Sequence, residues 1–277
     1  MDIAPIRAVS VGGMETCIEV PSWKLCFDIG RCPPSAHRWA RVLFTHAHTD
    51  HMGGVVSHCA TRDLLGMAPP TYVMPAENRD DFLAMMEAWR RLDRSALPCE
   101  VIGVSPGDRV DLGNGRVAHV FRAVHRVPSV GYVLEGRRRR LKAEHRGLPG
   151  PEIARLRREG VTVDEPWLAL EVAFCGDTTI DVVDREAFVR TARTLVLEVT
   201  FLGTDVSVDA ARRKGHVHLD EVAERAELFE NERIILTHFS TRYSNDHIVR
   251  EIDRRLPASL RTRVVPLLRE APWLSAS

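Results

Sequence analysis

The sequence predicts an α/β fold, and three observations point there. Short apolar, strand-like runs alternate with helix-like segments. Residues able to bind metal fall just past the ends of several such runs, where α/β folds build their sites. The 277 residues, 44% of them hydrophobic, suffice for one large core or two modest ones. A single unit spanning 1–277 is therefore expected.

The strand-like runs are "IEVPSWKLCFDIG", "RVLFTHAH", "TYVMPA" and "CEVIGV", joined further on by "GRVAHVFRAV", "ALEVAFCG" and "ERIILT". The helical segments are His51 to Leu65, Asn78 to Arg94, Asp220 to Glu230 and Asp246 to Leu256. In the second of these, Phe82, Met85, Met86 and Trp89 have the spacing of a buried face. The stretch 136–166 is rich in turn residues and charges and reads as an insertion rather than a linker. No short-period repeat and no low-complexity tract is present.

Formal net charge is zero, so bulk composition does not point to a nucleic-acid binder, and an anionic partner needs a local patch. "GRRRRLKAEHRGLPGPEIARLRREG" offers one: Arg137 to Arg140, Lys142, Arg146, Arg155, Arg157 and Arg158 outnumber Glu144, Glu152 and Glu159. A plain solvated surface is the other reading of such a run. The six cysteines lack paired spacing and read as reduced, mostly buried thiols. No apolar run is long enough for a membrane, and "MDIAPIRAVS" lacks a signal-peptide layout, so a cytoplasmic protein is expected.

The densest chemistry lies in "FTHAHTDHMGG". His46 and His48, two apart on an extended segment, point the same way, while Asp50 and His51 follow as the chain turns and aim at a second point. That pattern suits two metals. The glycine pair after Met52 permits tight turning and close packing at a helix start. Further ligands are available downstream: His125, Asp177 and His238 each follow a strand-like run, as His46 does. Taken singly, His125 reads as a loop histidine and Asp177 as a turn residue; their shared placement sets them apart.

These residues resemble the metallo-β-lactamase superfamily through H-x-H-x-D-H, which carries only fold and metals. "VHRVPSVGYVLE", "FCGDTT", "LEVTF", "GHVHLDE" and "LTHFSTRY" resemble the ribonuclease Z family in particular, and the likeness covers nearly the whole chain. The opening "VSVGGMETCIEVPSWKLCFDIGRCP" is similar to short, plant-type members, whose N-terminal β-hairpins lead to the metal motif. The resemblance implies an αββα sandwich, two Zn²⁺ per subunit with Mn²⁺ as an alternative, a homodimer, and removal of the 3′ trailer of precursor tRNA. It places one metal on His46, His48 and His125, the other on Asp50, His51 and His238, with Asp177 bridging. A water between two cations is acidified and serves as nucleophile on the phosphodiester. Asp50 would be general base as well as ligand.

For the leaving group, the family's proton donor and its orienting acid correspond to His216 and Glu198. The chain departs from the pattern: Leu197 stands where the family has histidine, and Val217 and His218 replace Ser-Thr. His218 is therefore a rival donor, both histidines could instead cap a helix starting near Leu219, and Glu198 could pair with Arg242. The resemblance also makes 136–166 a short arm that grips the elbow of tRNA bound at a partner subunit, with Arg138, Arg139 and Arg140 on phosphates. Arg242 could hold a phosphate oxygen or form a structural salt bridge, and Phe239 reads as core. A small-molecule hydrolase of the same superfamily, a cyclic-nucleotide diesterase or a glyoxalase-II-like thioesterase, would share every metal ligand but need neither the arm nor "GHVH". A non-catalytic RNA-binding or scaffold protein is the remaining alternative.

Overall fold

In the computed structural model, residues 4–269 are described; Met1 to Ile3, at the head of the stretch read for a signal peptide, lie outside them. Thirteen strands form two sheets among the described residues. The first has the order of the chain, β1 (Arg7–Val11), β2 (Glu15–Val20), β3 (Leu25–Phe27), β4 (Arg41–Leu43), β5 (Thr71–Pro75) and β6 (Glu100–Val104). The second runs β13 (Val264–Pro266), β12 (Arg233–Thr237), β11 (Thr194–Glu198), β10 (Asp164–Phe174), β9 (Val130–Leu141), β8 (Arg116–Arg122), β7 (Arg109–Gly113).

Each sheet joins antiparallel hairpins to a parallel half. β1, β2 and β3 pair antiparallel, while β3 to β6 are parallel. β7 to β10 pair antiparallel and β10 to β13 parallel. Because strands are pleated, neighbouring residues face opposite layers. Phe27, Leu43, Val73 and Val196 enter the core between the sheets, whereas Cys26, Val42 and Tyr72 face an outer core under α2 (Val55–Leu64) and α3 (Arg79–Asp93). Leu195 and Leu197 face the other outer core, shared with α5 (Asp181–Arg185), α6 (Ala187–Thr191), α8 (Leu219–Glu224) and α9 (Asn245–Arg255). Three apolar layers thus separate four structural ones, an αββα sandwich.

Several expected boundaries change. His51 to Leu65 is broken: α1 (Thr49–Met52) stops at Gly53 and α2 starts at Val55. Gly30 packs there so closely that a Cβ on it would lie 2.0 Å from the Asp50 carbonyl oxygen. On α3, only Phe82 and Met86 are buried, while Met85 and Trp89 face outward. Asp220 to Glu230 holds α8 only as far as Glu224, followed by a 3₁₀ turn at Ala226–Leu228. The segment 136–166 is more regular than its composition suggests. β9 and β10 extend into it as a ribbon pairing Leu141 with Asp164, and α4 (Gly150–Arg158) crosses its tip with Ile153 buried. α7 (Val208–Arg213), capped by Ser207, precedes the "GHVH" turn.

On the buried face of α2, His58 lies 2.9 Å by Nδ1 from the Tyr72 hydroxyl and donates Nε2–H to the Trp39 carbonyl at 3.1 Å. Burial, helped by the Arg62 charge, lowers its pKa from 6.5 to about 4. The unfolded chain then binds this proton more readily, so stability falls as pH drops from about 6.5 to about 4. We expect roughly 3 kcal/mol from this group, read by urea unfolding across that range, with the dependence flattened in His58→Gln.

Candidate metal centre

The C-terminal ends of β4, β8, β10, β11 and β12 meet at one edge of the sandwich, and each delivers a polar side chain there. β4 leads into His46, β8 into His125, β10 into Asp177 and β12 into His238, while Glu198 ends β11. All seven expected ligand residues come together. His46, His48, His125 and Asp177 form one group and Asp50, His51 and His238 a second. In the first, His46 Nε2 lies 3.0 Å from His48 Nδ1, and that atom 3.4 Å from His125 Nε2. In the second, His238 Nε2 is 3.4 Å from Asp50 Oδ2 and His51 Nε2 is 3.7 Å from it. Asp177 touches both, with Oδ2 3.8 Å from His46 Nε2 and 3.4 Å from His238 Nε2, and Oδ1 3.3 Å from His51 Nε2. A tetrahedral ion with bonds near 2.0–2.1 Å sets its donors roughly 3.4 Å apart, so these separations fit such an ion.

The other nitrogens of these rings are fixed from behind. His51 Nδ1 donates to Asp28 at 2.8 Å, His125 Nδ1 to the Gly215 carbonyl at 2.8 Å, and His238 Nδ1 to the Thr200 hydroxyl at 2.9 Å. His46 Nδ1 sits 3.1 Å from Thr45 Oγ1, which in turn donates to Asp28. Such partners orient imidazoles toward a metal. They leave His51 Nε2 and Asp177 Oδ1 buried, facing each other, and without hydrogen bonds. Two electron-rich atoms so placed call for a cation between them. Electrostatics agree: burial works against a charge on His51, yet the Asp177 and Asp28 carboxylates outweigh it and raise the ring well above its ordinary value. The Asp177 carboxyl, despite burial, is held well below its range by His238 and His51. The donor set therefore fits hard or borderline divalent ions without cysteine.

Asp28 and Thr200 were not singled out by the sequence reading. Asp28 is fully buried, with a left-handed φ of 53°, and also accepts the Thr45 amide at 2.8 Å. Its one outward sign is a carboxylate closing the apolar run "KLCF". Asp28→Ala should weaken metal binding about 10- to 100-fold while leaving the ligands in place, measurable by competition with a chromophoric chelator.

The two candidate donors separate cleanly. His218 is 2% exposed and its ring is fully used: Nδ1 accepts the Asp220 amide at 3.1 Å and Nε2 donates to the Gly203 carbonyl at 2.9 Å. With Glu221 accepting the His218 amide, it caps α8. His216 does not cap. Its side chain is partly open, and Nδ1 donates to Glu198 Oε1 at 2.9 Å. Burial opposes its charge, but Glu198 and then Asp177 outweigh that and raise it to about 9. Glu198 does not pair with Arg242. Its carboxylate accepts the amides of Thr178, Val217 and Thr200 and the Thr200 hydroxyl. Arg242 pairs instead with Asp205 at 3.1 Å and lies over the Phe201 ring. Phe239 is 2% exposed and packs in the core.

The arm's arginines divide between partners and solvent. Arg138, read as a phosphate contact, grips Glu171, the 1% exposed residue at the bulge in β10, through both Nε and Nη2. Arg140 pairs with Glu165 at 2.8 Å and Arg157 with Asp164 at 2.9 Å. Arg139 is exposed and, among the described residues, reaches the Asp164 carbonyl at 3.3 Å.

Fold and site together define a metallo-β-lactamase-fold protein with two adjoining His/Asp groups able to bind metal. No protein-family model matches the chain. It is 40% identical to the tRNase Z TRZ1 of Arabidopsis thaliana over 268 residues, covering 95% of this chain and 94% of that protein. It is 36% identical to the chloroplastic tRNase Z TRZ2 of the same plant over 264 residues, 95% of this chain and 74% of the relative. Among solved structures, the short form of human tRNase Z superposes with a TM-score of 0.58 at 19% identity, over 86% of this chain and 93% of that one. The chain belongs to the ribonuclease Z (tRNase Z) family.

Proposed function

We propose that the protein is a zinc-dependent endoribonuclease that removes the 3′ trailer of precursor tRNA and leaves a 3′-hydroxyl. The observation that carries this reading is the Glu198–His216 pair standing beside the two ligand groups, at 2.9 Å, with the rival His218 committed elsewhere. The names of the relatives support it. Two Zn²⁺, or Mn²⁺, held by His46, His48, His125, Asp50, His51, His238 and Asp177, would supply positive charge at the phosphate and an acidified water. The protein's own groups manage the protons. Asp50, ordered by the Gly13 amide at 2.9 Å, takes one from the attacking water. His216, with Nδ1 held by Glu198, gives one from Nε2 to the departing 3′-oxygen. The P–O3′ bond breaks as the new P–O bond forms, so the trailer departs with a 5′-phosphate.

The arm 136–166 is assigned to tRNA. Arg137 and Arg139 share the face of β9 opposite to Arg138 and Arg140, and both are exposed. With Arg138 and Arg140 already paired, these two carry the outward charge of the β9 run. Arg137→Gln with Arg139→Gln should raise KM for precursor tRNA several-fold and flatten its salt dependence, leaving a small diester less affected. Equal losses on both substrates would remove the arm from recognition. A homodimer is part of this reading, and the exposed apolar stripe of Met85, Trp89 and Leu92 on α3 offers surface for it to bury. Free thiols, five of the six buried, suit the reducing cytoplasm, and among the described residues no helix is long and apolar enough to cross a membrane. A panel of precursor tRNA, a chromogenic diester, a cyclic nucleotide and a glutathione thioester tests the substrate class. Turnover of the thioester or cyclic nucleotide with no RNA cleavage would favour the small-molecule reading.

A further inference from the structure

The mouth of the metal centre is a cleft of about 290 Å³ lined by His48, His125, Arg126, Val127, Lys214 and His216. Its two permanent cations differ from several basic residues elsewhere on the surface. Arg138, Arg140, Arg157 and Arg242 are neutralised by Glu171, Glu165, Asp164 and Asp205. Arg126 and Lys214 are exposed, and among the described residues neither forms an ion pair.

Both are placed by the fold rather than left to wander. Lys214 ends α7, where the helix dipole favours positive charge, and its Nζ lies 5.3 Å from the Phe201 ring centroid. Phe201, 4% exposed, is edge-on to His216 at 6.1 Å, so the ammonium is held beside that ring. Arg126 reaches the cleft from the segment that follows β8. Its Cγ lies 3.4 Å from the point where Gly215 would carry a Cβ, and the hydrogen bond from His125 to the Gly215 carbonyl ties the two segments together. Gly215 has φ of 78°, which glycine adopts without strain. Two like charges converging on one cleft without a carboxylate repel each other until an anion enters.

We propose that Arg126 and Lys214 form a clamp for the phosphates flanking the scissile one, which gives the site its preference for a polynucleotide over an isolated diester. The clamp rests on the endoribonuclease reading. The scissile phosphate itself is met by the ligand groups and by His216; a nucleotide chain brings a further phosphate on each side, and the lip is the only described part of this cleft with unspent positive charge.

The test compares wild type, Arg126→Gln, Lys214→Gln and the double variant on precursor tRNA and on bis(p-nitrophenyl) phosphate, whose phosphate has no neighbour. Metal content and thermal midpoint are measured alongside. Each single change should lower kcat/KM on RNA about tenfold, and the pair about a hundredfold, with at least tenfold less effect on the small diester for the double variant. The slope of log kcat/KM against log salt should fall by about 0.7 to 0.9 for each cation removed. A precursor carrying one uncharged methylphosphonate beside the cut should cost the wild type as much as Lys214→Gln or Arg126→Gln does, and cost that variant little more. Equal losses on RNA and the small diester, or methylphosphonate losses that multiply with both substitutions at each flanking linkage, would overturn the clamp alone. A wild type that leaves RNA intact while hydrolysing the small diester would remove the endoribonuclease reading and the clamp with it.

Discussion

Asp177→Ala should strip the protein of bound metal and lower diester hydrolysis by on the order of 10⁴-fold or more. Asp177 is 2% exposed, and its two oxygens face the nitrogens of His46, His51, His125 and His238 within 3.3 to 4.0 Å. It is the one anion shared by both groups. Without it the first group is three neutral imidazoles, and the second keeps only Asp50 for charge. Metal per chain after dialysis and turnover of a chromogenic diester read the effect, and Asp177→Asn should lose nearly as much because the amide preserves shape but not charge. A variant that keeps its metal and its turnover would show that the centre is not the one described.

His216→Ala is the second large effect, and its value lies in selectivity. A ribose 3′-oxygen is a poor leaving group that needs a proton, whereas p-nitrophenolate departs without one. The variant should therefore lose about 10² to 10⁴ in kcat on RNA but far less on bis(p-nitrophenyl) phosphate, with metal content preserved. His218→Ala should behave differently. That ring caps α8 and bonds Gly203, so its removal costs about 1–2 kcal/mol of stability and leaves the balance between the two substrates unchanged. If His216→Ala lowered both substrates alike, the ring would be serving the metals or the fold rather than the leaving oxygen. Glu198→Gln tests the same chain one step back, although its extra bonds to three amides mean that lost stability must be measured with it.

What could be read from the sequence was whatever local spacing encodes. H-x-H-x-D-H sits on one short turn, so two periods of backbone geometry suffice to aim it, and His125, Asp177 and His238 announce themselves by following apolar runs. The residues that orient those rings gave no such signal. Asp28 reaches His51 across 23 positions and Thr200 reaches His238 across 38, and only the side-by-side parallel pairing of β3 with β4 and of β11 with β12 brings those segments together. The commitment of the His218 ring was hidden for the same reason, since its burial and its bond to the Gly203 carbonyl arise only in the fold. Charge was the most misleading signal. The arginine run looked like a uniform cationic patch, but strand alternation and the bulge at Glu171 turn Arg138 inward, while the two unneutralised cations at the site mouth, Arg126 and Lys214, lie outside that run. Helix ends moved where tertiary packing intervened, as at Gly53, where the Asp50 turn must fit against Gly30.

The most direct measurement is cleavage of an end-labelled precursor tRNA carrying a 3′ trailer by the metal-loaded protein, with the ends mapped to the nucleotide and Asp177→Ala and His216→Ala run beside it. A single cut next to the discriminator base, leaving a 3′-hydroxyl and lost in both variants, is the predicted result. Intact precursor tRNA, with a thioester or a small diester turned over by the same preparation, would contradict the assignment of RNA as substrate.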